Sequence, residues 1–157
     1  LYRTKEDFLN DWTNASRGTL QVLEVLTDDT LNQAIVEDHS TLGWLGWHLA
    51  TSPVFFAGQV GLSVTPAKGE SVPTKATEIV EAYQKISDEL KREVEKTLTD
   101  EKMIETVESF GKQTPRGALL RVLIDHQTHH RGQMTVLLRQ AGLPVPGVMG
   151  PTKEDQK

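Results

Sequence analysis

A chain of 157 residues carrying 17 Lys+Arg against 22 Asp+Glu, for a formal net charge of -5, lacks the basic surplus with which nucleic-acid binders neutralise phosphates. It has no cysteine, which excludes disulfides, thiolate metal ligands and a cysteine nucleophile. The length suits one domain with a continuous core, here expected over about 5–141 with a surface tail over 142–157.

The first segment, about Lys5 to Leu26, spaces Phe8, Trp12, Ala15, Thr19, Val22 and Leu26 by three and four, the mark of one helical face. Thr4 followed by Asp7 resembles a capping box. A second helix starts near Ser40 or Thr41 and runs through Trp44, Trp47 and His48 to Ala50. There Pro53 either kinks it or opens a new turn capped by Ser52, with the apolar run continuing to about Val60. Gly43 and Gly46, among large neighbours, suggest close approach of another backbone. That run includes Gln59 and is too short to span a membrane.

A Gly/Pro-containing loop over 61–73 leads to a third helix, about Lys75 to Leu98, with Ile79, Tyr83, Ile86, Leu90 and Val94 on one face. Its charges alternate in sign around Lys91 and Arg92 and read as ion pairs on a solvated face. Residues 100–114 are irregular, with Thr106 to Phe110 briefly extended. Thr114-Pro115 reads as an N-cap followed by proline at the first helical position of a fourth helix. Gly142 then caps that helix and Pro144 forbids its continuation. Four amphipathic segments with little strand signal predict an all-α four-helix bundle with a non-helical C-terminal tail.

The chemistry lies in His126-Gln127-Thr128-His129-His130-Arg131-Gly132-Gln133. His126 and His130 are one helical turn apart, close enough for both imidazoles to reach one ion. At about 100° per residue they share a sector with Leu119, Leu123 and Leu137, so the pair is expected to face the core. Imidazoles there need partners. His48, among Trp44, Leu45 and Phe55 on its own helix face, could complete a three-histidine site. Three protein ligands leave positions open for water or substrate. Imidazoles suit Zn, Ni, Cu or Fe, with one Zn or Ni ion the leading expectation.

His39 and His129 read as surface or outer-layer residues. Gln133 could bond a metal-bound water or an incoming ligand, or satisfy a buried backbone group. Arg131 could meet a carboxylate on a neighbouring helix or subunit, and Asp125 an exposed ion-pair partner. The three tryptophans read as core or interface filler.

The stretch Gly43-Trp44-Leu45-Gly46-Trp47-His48-Leu49-Ala50, the HxxHHRGQ stretch from His126 to Gln133, and the ending Leu137 to Pro146 resemble the DinB/YfiT-like proteins in order and spacing along nearly the whole chain. The resemblance implies a four-helix bundle, commonly a homodimer, with a metal held by His48, His126 and His130. It also implies an S-transferase that uses a low-molecular-weight thiol, or a metal-dependent hydrolase, with no fixed general base.

The resulting expectation is a metal-dependent enzyme that activates a small thiol or water against a small-molecule substrate, without nucleic acid or membrane partners. The alternatives are a non-catalytic metal-binding stress-response protein acting as a dimer, and three buried histidines without an ion. No basic-then-apolar run marks a secretory signal, and a cytoplasmic location is expected.

Overall fold

The computed structural model describes residues 1–156. Its elements are α1 (Lys5–Leu23), α2 (Leu42–Gln59), α3 (Ala76–Thr97), a short α4 (Asp100–Ile104), the strands β1 (Thr106–Ser109) and β2 (Lys112–Pro115), and α5 (Arg116–Gln140). The four long helices are the four read from the periodicity, α5 being the fourth. Each of α1 and α2 packs on both α3 and α5, so the helices surround one core as a bundle.

Thr4 caps α1 as expected, its Oγ1 accepting from the Asp7 N–H at 3.1 Å. The α3 face is buried at all of Ile79, Tyr83, Ile86, Leu90 and Val94. Each such apolar side chain contributes roughly 1.5–3 kcal/mol on burial. The alternating charges of α3 form no ion pair with one another among the described residues; Glu89 instead accepts from Thr65 N and Oγ1.

α2 continues through Pro53 without a break, and Ser52 Oγ caps nothing: it is buried without a hydrogen-bond partner among the described residues. The close-approach reading holds at Gly43, whose N–H donates to Leu31 O at 2.9 Å. A Cβ there would lie 3.1 Å from the same oxygen. At Gly46 the neighbours are instead the side chains of Leu23 and Ile79.

The apolar core falls into two clusters along the bundle axis. One contains Phe8, Trp12, Leu90, Leu120 and Leu123; the other contains Leu23, Leu45, Leu49, Ile79, Met134 and Leu138. Between them in sequence on α1 and α5 lie Thr19 and Gln127, both with no exposed surface. They bond to each other, and the Tyr83 hydroxyl donates to Gln127. This level is a hydrogen-bonded polar layer inside an otherwise apolar bundle.

Two expectations about the second half are corrected. Thr114 and Pro115 do not start the helix: they pair with Val107 and Thr106 in a hairpin, and α5 begins at Arg116 without a side-chain cap. The tail is not a free arm. Val145 is buried in the core, Val148 packs against it, and Glu154 pairs with Arg139 at 2.8 Å. Lys157 lies outside the described residues.

The hairpin turns on Phe110 and Gly111, with φ of 49° and 74°. Two successive positive values define the primed turn that suits strand twist, and they favour Asn and Gly. An aromatic residue there is strained by about 1–2 kcal/mol. Phe110 is also 84% exposed. Phe110→Asn is therefore expected to stabilise the protein by about 0.5–1 kcal/mol, read as a higher urea midpoint at unchanged slope. A lower midpoint would mean that the Phe110 ring contributes more in its contact with Phe55, at 6.1 Å between centroids, than the turn strain costs.

Candidate metal centre

α2 and α5 pack side by side, and this brings His48 to the pair on α5. One ring nitrogen from each of His48, His126 and His130 lies within 4.8 Å of the others. The Nε2 atoms of His48 and His126 are 2.9 Å apart. Ring centroids are 4.7 Å apart for His48–His126 and His48–His130, and 4.4 Å for His126–His130. The three imidazoles converge on one point.

The pair does not face the centre of the core, as the apolar wheel suggested. All three histidines are half-buried, and the fully buried line of α5 runs through Leu120, Leu123, Gln127, Met134 and Leu138. The helix is rotated because Gln127 and Arg131, both polar, occupy interior positions. His126 and His130 thus stand at the edge of the core, facing α2. Trp44 and Phe55, 42% and 49% exposed, flank His48 on the same helix face. Trp44 stacks on the His48 ring at 4.8 Å and 14°, and Phe56 lies 5.5 Å from His126.

The surroundings favour neutral rings at His126 and His48. Burial lowers the pKa of His126 to about 4, with help from His130, His48 and His129. Burial also lowers that of His48, followed by the effect of His130. Neutral imidazoles are the form that coordinates metals. Nδ1 of His130 donates to Gln133 Oε1 at 2.7 Å, which leaves the lone pair on Nε2. Gln133 therefore orients a histidine, which is neither of the two roles expected of it.

The donor set fits a transition-metal ion. Two nitrogens each about 2.0–2.1 Å from one ion lie roughly 3 Å apart, close to the His48–His126 separation. Among the described residues the buried Nδ1 atom of His126 has no hydrogen-bond partner, so of its two ring nitrogens only Nε2 has a polar neighbour, the Nε2 of His48. The cluster could hold a metal ion.

The other candidates separate cleanly. His39 is exposed, bonded through Nδ1 to Glu37 O. His129 is exposed, its ring 4.9 Å from that of His130. Asp125 forms the expected exposed ion pair with Arg121 at 2.9 Å. Among the described residues Arg131 meets no carboxylate; it is buried and donates to Ala15 O at 3.1 Å and Thr19 Oγ1 at 3.3 Å. Trp12 is core, donating to Ser87 O, whereas Trp44 is part of the site wall. Gln127 was not singled out, and only its position between two helical histidines could have drawn attention to it.

A helical bundle whose second and last long helices bring three histidines together defines a class of proteins equipped to hold a metal. Comparison makes the assignment specific: the DinB family model matches residues 2–157, and the chain belongs to the DinB family. It is 39% identical over 156 residues to the uncharacterized protein YrdA of Bacillus subtilis (strain 168), covering 99% of this chain and 93% of YrdA. A crystal structure of a DinB-like protein from Bacillus cereus ATCC 10987 is 40% identical with a TM-score of 0.89, covering 94% of this chain and 99% of that one. The DinB-like protein YjoA of Bacillus subtilis shares the fold at 18% identity, with a TM-score of 0.72 over 92% of this chain and 99% of its own. No helix among the described residues is long and apolar enough to cross a membrane.

Proposed function

We propose that this protein is a metal-dependent enzyme that binds one divalent transition ion, Zn or Ni, through His48, His126 and His130. Its reaction is of the S-transferase or hydrolase type, on a small electrophilic substrate. The observation that carries this reading is the convergence of three imidazole nitrogens within 4.8 Å at the edge of the core, where the rings remain half-exposed. When bound, the ion supplies Lewis acidity, which lowers the pKa of a thiol or water so that its deprotonated form exists near neutrality.

The chain's own residues hold and shape the site. Because the sequence has no cysteine, a sulfur nucleophile comes from a low-molecular-weight cosubstrate. Gln133 keeps the His130 proton on Nδ1, so that ring presents its lone pair inward. Trp44 stacks on His48 and also lines a cavity of about 520 Å³ with Leu31, His39 and Val72. Trp44 is the link between this cavity and the site, since none of the three histidines lines the cavity. We further propose a cytoplasmic homodimer.

The test is a panel of low-molecular-weight thiols against small electrophiles, with metal-loaded and metal-stripped protein. Thiol consumption that requires the loaded form supports the S-transferase reading; ester or amide turnover without thiol supports the hydrolase. Stoichiometric metal with no turnover across both panels would instead support a non-catalytic metal-binding protein.

A further inference from the structure

Gln127 lies between the two helical ligands in sequence, yet its side chain points the other way, into the interior. Bonds reach it from every other long helix. Its Oε1 accepts from Tyr83 Oη of α3 at 2.9 Å and from Thr19 Oγ1 of α1 at 3.2 Å. Its Nε2 donates to Leu49 O of α2 at 3.3 Å.

The Leu49 carbonyl is open for a definite reason. In an unbroken helix it would accept from the N–H of residue 53. Residue 53 is a proline inside α2, and proline has no N–H to give. One carbonyl is thereby released into the interior immediately after His48. Gln127, immediately after His126, fills it. A buried carbonyl left without a donor is destabilising, so the helix defect and the side-chain donor are favoured together over either alone.

We propose that Pro53 and Gln127 form a lock that fixes α2 against α5 at the level of the three histidines, with Gln127 a positioning residue for the ion. The proposal rests on the metal reading above. The lock acts on geometry: a shift along either helix would move His48 relative to His126 and His130. The contacts with Thr19 and Tyr83 hold the Gln127 amide so that its Nε2, not its oxygen, faces Leu49.

The test uses Co(II) as the probe, read by binding titration and by its visible ligand-field absorption, together with thermal unfolding. Gln127→Met keeps the side-chain length and removes the lock; it is expected to weaken Co(II) binding by about 10–100-fold and to change the absorption band. Pro53→Ala supplies an N–H that competes for Leu49 O. It should weaken Co(II) binding over the same range while leaving the unfolding temperature equal or higher. The double variant should regain stability relative to Gln127→Met, because Leu49 O is satisfied again, without regaining affinity.

Wild-type affinity and spectrum in Pro53→Ala would overturn the lock, as would recovery of affinity together with stability in the double variant. Should Gln127→Met fail to fold, Pro53→Ala alone decides. If the wild-type protein binds no Co(II), the metal reading fails separately. The lock is then read from the imidazole ¹⁵N resonances of His48 and His126, which both substitutions must shift and whose constancy would overturn it.

Discussion

Replacing His126 by Ala is expected to remove the bound metal and, with it, all metal-dependent turnover. Burial lowers the pKa of His126 to about 4, and its Nε2 lies 2.9 Å from that of His48. Two remaining ligands do not make the closed three-point set that a divalent ion needs when only one or two open positions are kept. Affinity should fall by at least about 100-fold, on the order of the loss of one ligand from a three-ligand site. Elemental analysis of untagged protein and competition with a coloured chelator would read it. The fold should survive, because removing a desolvated, half-buried ring leaves the apolar clusters on either side intact. Metal retained at one equivalent in a folded His126→Ala protein would remove His126 from the ligand set.

The second large effect is expected in acid. In the metal-free protein His126 titrates at about 4 rather than 6.5, chiefly because burial disfavours its charged form. The unfolded chain therefore binds more protons between those values, and stability rises with pH across that window. The contribution is fully present above pH 6.5 and is lost as pH falls toward 4. His48 is lowered in the same direction and adds to it. Protons compete with the ion for the same lone pairs, so metal should remain bound at neutral pH and be released in the same acid range. Urea titrations of stripped protein from pH 7 to pH 4, alongside dialysed metal content, would show both. The His126→Ala protein should lose less stability than wild type over that range; identical profiles would assign the acid loss to other groups.

The helices were legible because their apolar residues recur at helical spacing, and Thr4 announced the first of them. The three histidines were legible because a one-turn pair on one helix and a single histidine amid aromatics on another are chemically unusual. Three features were hidden for physical reasons. Of the hairpin only the first strand is legible, as the extended stretch from Thr106; Phe110 stands where a primed turn favours Asn, which leaves Gly111 as the single turn signal. The docked tail was missed because Val145 and Val148, isolated among prolines and glycines, form no periodic pattern. The orientation of α5 is not legible in the sequence, because apolarity alone places His126 and His130 toward the core. Gln127 and Arg131 are interior residues whose burial depends on partners from α1, α2 and α3, and no local pattern reveals those.

Pro53 shows the same limit from the other side. The sequence marks a helix defect, but only the packed structure shows that Gln127 fills the carbonyl left behind.

X-ray absorption spectroscopy of the protein loaded with one equivalent of zinc tests the metal centre most directly. Three imidazole nitrogens at about 2.0–2.1 Å are expected, falling to two in His48→Ala. A shell with no more than one imidazole, or one that is unchanged by that substitution, would show that the ion is held elsewhere.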